Sequence, residues 1–103
     1  MRRGEIWWAD LPAPVGRRPA VLLSRDQAYA VRTSVTVVPI TGRARGIPVE
    51  VPLRPGDGVP RACVANADNV TTVEKSRLVR RIGRLAPDKL RALEDALRFA
   101  LAL

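Results

Sequence analysis

Sixteen arginines, two lysines and no histidine decide which chemistry is open to this 103-residue chain. Without imidazole there is no histidine general acid or base, no histidine metal ligand, and no Ser-His or Cys-His nucleophile pair. A lone cysteine, Cys63, excludes an intrachain disulfide and a cysteine-built zinc site, and suits a small buried apolar position. What remains is guanidinium chemistry. Arginine presents a planar fork of donors that matches phosphate geometry, and it keeps its proton near neutrality. Eighteen basic residues against ten acidic ones leave a formal charge of +8. Such an excess on a small chain points to a polyanionic partner, most simply nucleic acid. A charge that merely keeps the chain in solution is the competing reading. The pairs Arg2-Arg3, Arg17-Arg18 and Arg80-Arg81 are far apart in sequence, so any anion-binding surface must be assembled by folding.

The elements that would do the assembling are short. Gly4 to Asp10 reads as an aromatic-rich strand, with Ile6 and Trp8 on one face and Trp7 on the other. The segment Leu11 to Gly16 breaks it with two prolines. Pro19 to Ser24 is almost wholly apolar, as for a strand buried on both faces. Arg25 to Arg32 is a polar connection with room for one helical turn, and Ser34 to Ile40 is a third strand. Ile47, Val49, Val51 and Leu53 alternate with Pro48, Glu50 and Pro52, so this strand is half-buried and its prolines place it at an edge. A turn at Arg54 to Gly58 follows, then further strands at Ala62 to Ala65, Asn69 to Val73 and Leu78 to Leu85. From Pro87 the period changes to that of a helix, with Leu90, Leu93, Leu97, Ala100 and Leu101 on one stripe. Pro87 and Asp88 suit its first turn, and Arg91/Asp95 and Glu94/Arg98 are spaced for ion pairs on its outer side.

The chain is 47% hydrophobic and 27% charged, too apolar for a disordered basic tail. Its length suits one domain over residues 1–103. No apolar run approaches the roughly 18 residues that a membrane span needs. The opening Met1-Arg2-Arg3-Gly4-Glu5 lacks a signal-peptide hydrophobic region. The expectation is a soluble cytoplasmic protein with no membrane partner. Six or seven strands and one helix predict a mainly β fold, a small bent barrel closed by the C-terminal helix.

Four blocks then carry a resemblance. Arg3-Gly4-Glu5-Ile6-Trp7-Trp8, Arg18-Pro19-Ala20-Val21-Leu22-Leu23-Ser24, Val37-Val38-Pro39-Ile40-Thr41 and Val70-Thr71-Thr72-Val73-Glu74-Lys75-Ser76-Arg77-Leu78 occur in the order, and at spacings compatible with those, of the MazF/PemK toxin family. With the C-terminal helix they span nearly the whole chain, which therefore resembles that family throughout. The resemblance implies an SH3-like barrel with a C-terminal helix, assembled as a homodimer. It implies a toxin–antitoxin endoribonuclease that cuts single-stranded RNA sequence-selectively, with no metal or other cofactor, leaving a 2′,3′-cyclic phosphate and a 5′-hydroxyl. It also implies a cognate antitoxin whose flexible, often acidic tail occupies the RNA groove, and DNA binding by the toxin–antitoxin complex.

Carried over by matching position, the catalytic pair is Arg18 and Thr41. Arg17, Arg43 and Arg45 flank these and would contact backbone phosphates. Asn69 stands where the family often has glutamine, and its amide would read a base edge or hold a phosphate. One tryptophan of Trp7 and Trp8 belongs to the core, the other to the groove or a dimer surface. Glu5, Glu50 and Asp68 are the carboxylates that would take the 2′-hydroxyl proton if folding brought one close. Glu74 to Arg77 reads as a structural turn. Two departures stand out: the segment Leu11 to Arg17 is short where many relatives carry a longer mobile loop, and Thr71 stands where they often place a cation. The alternatives are a CcdB-like non-enzymatic gyrase inhibitor on the same barrel, and a barrel that binds RNA without cutting it.

Overall fold

A computed structural model describes all residues, 1–103. Seven strands and two α-helices follow in the order β1 (Glu5–Leu11), β2 (Gly16–Leu22), α1 (Ala28–Val31), β3 (Ser34–Thr41), β4 (Glu50–Leu53), β5 (Cys63–Asn66), β6 (Thr71–Glu74), β7 (Leu78–Arg84) and α2 (Pro87–Leu101). Every strand pairing is antiparallel. The sheet runs β4-β5-β3-β2-β1-β7, and β6 branches off β3.

The apolar run in β2 is buried as its composition demands. Ala20 and Leu22 enter one apolar cluster with Ala9, Leu11, Val35 and Val37, while Val21 and Leu23 enter another with Ile6, Val38, Ile40 and Leu93. Alternation along β2 and β3 therefore feeds two cores, one on each face of the sheet. β4 lies at an edge and pairs only with β5, as Pro48 and Pro52 require. Helix α2 covers the second core through Leu93 and Ala96, with Leu90, Leu97 and Ala100 beside them.

Three expectations need correction. The sheet is not a closed barrel, because β4 and β7 do not pair. The loop after β4 bridges part of that gap without a ladder: Gly58, at φ +96, lies so close to Gly83 of β7 that a Cβ on Gly83 would fall 2.8 Å from the Gly58 Cα. Strand β3 has three partners, β2 and β6 along its first part and β5 along its end, and this branching leaves the ends of the sheet free. Second, Leu101 is 52% exposed, and Ala96 is buried in its place on the stripe. Third, the helix pairs differ from the spacing-based ones. Glu94 takes Arg3 Nη2 at 2.8 Å, and Arg98 turns to Asp95 at 2.9 Å. Arg3 also donates to the Leu23 carbonyl, so the N-terminus outcompetes Arg98 for Glu94 by tying helix to sheet. Neither helix is long and apolar enough to cross a membrane.

The seam between Gly58 and Gly83 predicts an asymmetry between glycines. Gly83→Ala places a methyl 2.8 Å from the Gly58 Cα and carbonyl oxygen and should lower unfolding free energy by about 1–3 kcal/mol. Gly56→Ala, with nothing within 4 Å, should change it by less than about 0.5 kcal/mol. Denaturant titration of both variants checks this; equal effects would mean the seam does not constrain the fold.

Candidate nucleic-acid cleft

The strongest juxtaposition in the molecule comes from the place where two strands part. β2 and β3 pair through Ala20–Pro39, Val21–Val38 and Leu22–Val37. The Leu23 N–H reaches the Thr36 carbonyl, so the bonded pairs that follow are Val21–Val38 and Pro19–Ile40. Pro19 has no N–H to extend the ladder, and from Ile40 onward the remaining partner of β3 is β5, Ile40 with Ala65 and Thr41 with Val64. On the other side Pro19 of β2 is held by Trp8 of β1. The strands thus splay just past their last pair. Continuing the register by two residues sets Arg18 opposite Thr41, and period-2 alternation puts Arg18 on the face of Ala20 and Leu22 and Thr41 on the face of Val35 and Val37. The gap is a cleft of about 440 Å³ lined by Arg18, Thr41, Arg17, Trp8, Arg61 and Cys63 among others, a volume in the range of ligand sites.

Arg18 is held from behind. Its Nη2 donates to the Val15 carbonyl at 3.3 Å, across the tight turn that joins β1 and β2. Its Nε is buried and has no hydrogen-bond partner within the chain. A buried N–H left unmade costs about 1–3 kcal/mol, so this atom is a donor in want of an acceptor. Thr41 Oγ1 accepts the Arg43 N–H at 3.3 Å, the local turn bond expected of a hydroxyl before Gly42. Because the oxygen is the acceptor there, its own proton is free to point at another oxygen.

Arg18 also lines a second cleft, about 650 Å³, with Asn69, Thr71, Thr72, Glu74 and Arg77 opposite the apolar turn Pro12, Ala13 and Val15. Asn69 therefore shares a cleft with Arg18 but not with Thr41. The two tryptophans divide: Trp7 packs against the apolar cluster of Ala9 and Leu22, and Trp8 lines the first cleft.

Other candidate residues lie elsewhere. Arg17 lines the first cleft but gives Nε to Asp10 at 2.8 Å and Nη2 at 3.3 Å. The hydrogen bond from Arg17 holds the Asp10 carboxyl below the usual carboxylate range and raises the guanidinium in turn. Arg43 and Arg45 are exposed on the loop after Thr41, of which only Gly42 borders the cleft. That loop is shaped by Glu50, whose carboxylate accepts the N–H groups of Arg45 and Gly46 at 2.8–3.0 Å. Burial pushes the Glu50 carboxyl up, but these bonds hold it below its usual range. Asp68 is exposed and borders neither cleft.

Glu5 is also committed elsewhere. It is 8% exposed and accepts Trp7 Nε1 and the Arg2 N–H, each at 3.0 Å, with Arg81 Nε at 3.1 Å. No carboxylate borders the cleft of Arg18 and Thr41. Two residues went unmarked in the sequence. Arg61 lines the first cleft from the loop before β5, a loop without a recognisable motif. Arg77 lines the second, although it belongs to the expected turn at Lys75–Arg77.

The sequence profile of the PemK-like, MazF-like toxins of type II toxin–antitoxin systems matches residues 2–101. Probable endoribonuclease MazF5 of Mycobacterium tuberculosis is 45% identical over 100 residues, covering 96% of this chain and 91% of the relative. Endoribonuclease MazF9 of the same organism is 38% identical over 115 residues, covering 100% and 98%. Among solved structures, the Mycobacterium tuberculosis toxin MazF-mt6 superposes with a TM-score of 0.88 at 34% identity, covering 96% of this chain and 97% of that one. A mycobacterial endoribonuclease in complex with its cognate antitoxin superposes with a TM-score of 0.90 at 29% identity, covering 100% and 96%.

The Glu5 network generates a pH prediction. Burial pushes this carboxyl up, yet the bonds from Trp7 and Arg2 and the charges of the N-terminus and Arg81 outweigh it and hold the value below the usual 4.5. A depressed folded value means the stabilisation is present above the unfolded value and is lost as pH falls through the folded one. Glu5→Gln should therefore be less stable than wild type by about 1–3 kcal/mol at pH 7. The difference should shrink progressively below pH 4.5. Urea titrations at neutral and acid pH measure it; a gap that stays constant with pH would show that the charge of Glu5 is not what stabilises the fold.

Proposed function

This chain belongs to the PemK/MazF family of type II toxin–antitoxin toxins, and from that premise we propose that it is a sequence-selective endoribonuclease acting on single-stranded RNA. The observation that carries the assignment to a site is the buried, unpartnered Nε of Arg18 in a cleft shared with the Thr41 hydroxyl. RNA brings its own nucleophile. The 2′-oxygen forms a bond to the adjacent phosphorus, the bond from phosphorus to the 5′-oxygen breaks, and the products carry a 2′,3′-cyclic phosphate and a 5′-hydroxyl. The 2′-hydroxyl gives its proton to water, since no carboxylate lines the cleft, and the leaving 5′-oxygen takes one from water.

Negative charge grows on the non-bridging oxygens along that path. A guanidinium with a free N–H and a fixed hydroxyl are donors aimed where it develops. Such donors act by position, and the splayed ends of β2 and β3 supply it. Arginine keeps its proton near neutral pH, so its role is charge stabilisation and donation toward the leaving oxygen. Asn69, which shares the second cleft with Arg18, would meet the strand beyond the scissile phosphate. Arg43 and Arg45, exposed at the mouth, add positive field rather than a fixed contact.

The same reading supplies the partners. A cognate antitoxin with an acidic tail would match a basic cleft, and the structurally similar mycobacterial endoribonuclease is in complex with its own cognate antitoxin. A homodimer in the cytoplasm completes the proposal, with β4, β6 and β7 each leaving an edge open for a second chain. The relatives quoted carry toxin and endoribonuclease names, and nothing among them supports a gyrase inhibitor.

Purified protein incubated with long single-stranded RNA in EDTA should release discrete fragments with cyclic-phosphate and 5′-hydroxyl ends. Arg18→Ala should cut about 10²–10³-fold more slowly with an unchanged thermal midpoint, and Thr41→Ser should retain more activity than Thr41→Val. Retarded but intact RNA would replace the enzyme with a binding barrel. Undiminished cutting by the Arg18 variant would move the site elsewhere.

A further inference from the structure

Of the guanidiniums bordering the cleft, only one makes no hydrogen bond at all within the chain. Arg18 is pinned by the Val15 carbonyl, and Arg17 is engaged by both oxygens of Asp10. Arg77, in the adjoining cleft, gives Nη1 to the Asp10 carbonyl at 3.3 Å. Arg61 makes neither an ion pair nor a side-chain hydrogen bond, and it lines the cleft from the β5 side, next to Thr41 and across from Arg18.

Its backbone is held although its head is free. Val59, two residues earlier, is buried at 4% exposure, and Gly58 before it is wedged against Gly83. Pro60 restricts the next bond. Cys63, two residues later, pairs with Leu53 in the β4–β5 ladder. The cation is thus presented by a short span fixed at both ends, so little backbone freedom is lost when it is bound. Its field reaches into the cleft: burial pushes the Cys63 thiol up, and Arg61 pulls it part of the way back.

Resting on the endoribonuclease reading above, we infer that Arg61 is a substrate-binding residue that grips a backbone phosphate of single-stranded RNA next to the scissile one, opposite Arg18. It therefore adds affinity for the strand before and during cleavage alike. A contact equal in both states changes KM and leaves kcat alone. A phosphate contact to a single strand also carries about 0.7 of a unit in the slope of log affinity against log salt.

The experiment compares wild type, Arg61→Ala, Arg61→Lys and the exposed control Arg25→Ala. Each is tested for cleavage of an RNA oligonucleotide and for binding to its uncleavable 2′-deoxy analogue between roughly 50 and 300 mM salt. Arg61→Ala should raise KM about tenfold, hold kcat within about twofold and flatten the salt slope by about 0.7. Arg61→Lys should restore the slope, and Arg25→Ala should behave as wild type. Thermal midpoints keep a folding defect from passing as a binding one. An unchanged KM and slope in Arg61→Ala, while Arg18→Ala abolishes cutting, overturns this assignment and leaves the enzyme reading intact. A loss confined to kcat, or an equal loss in Arg25→Ala, overturns it as well. RNA neither bound nor cut by wild type overturns the enzyme reading and this assignment with it.

Discussion

Pro19 has no N–H to donate across to β3, and that missing donor ends the β2–β3 ladder where the cleft begins. The β2–β3 ladder runs for three residue pairs and then parts, with β3 crossing to β5. Had β3 continued beside β2, Arg18 and Thr41 would be neighbours on a flat sheet with no space between them for a strand of RNA. Because the ladder ends one turn of the pleat earlier, the same register that makes them opposite also opens the gap. The proline of the Arg-Pro block is thus structural punctuation: Pro19 pairs with Trp8 of β1 on one side and leaves the β3 side without a donor.

Around that cleft the arginines divide by what they touch. Arg3, Arg81 and Arg98 are occupied with Glu94, Glu5 and Asp95, and they tie the N-terminus, the last strand and the helix in place. Arg17 is shared with Asp10 at the rim. The exposed pairs among these, Arg17–Asp10 and Arg98–Asp95, add little stability on their own, so their effect lies in fixing which cations remain available. The carboxylates are correspondingly spent. Glu5 and Glu50 accept backbone and side-chain N–H groups that shape the fold, and neither faces the cleft. The result is a basin of positive charge with no built-in counter-ion beside Arg18 and Thr41, the arrangement that an anionic strand or an acidic peptide would enter most readily.

Much of the fold was legible. The apolar run of β2 announced burial on both faces, the prolines around β4 announced an edge, and the shift to a 3.6-residue period announced α2 starting at Pro87. Local chemistry suffices for these, since alternation, missing donors and helical spacing act over a few residues. Closure was not legible. Whether the first and last strands of a sheet meet depends on twist accumulated over seven strands and on the branching of β3, and neither is written in any one segment. The helix ion pairs went the same way: Glu94 is equally well spaced for Arg98, but Arg3 arrives from the opposite end of the chain.

The site shows the same division. Arg18, Thr41, Arg17 and Asn69 could be named from blocks of residues, because each block is short and its members share a strand or a turn. Arg43 and Arg45 looked equivalent to them in sequence, yet in the loop that Glu50 shapes neither joins the lining. Arg61 was invisible, standing in a turn without a motif and reaching the cleft only because Gly58 packs on Gly83. By composition alone the chain was committed to histidine-free, arginine-based chemistry on a mainly β scaffold, since side-chain inventory and periodicity are properties of the string itself. Which of the sixteen guanidiniums face one another across an open gap was decided by long-range pairing and by competition for ten carboxylates, and these exist only once the chain has closed on itself.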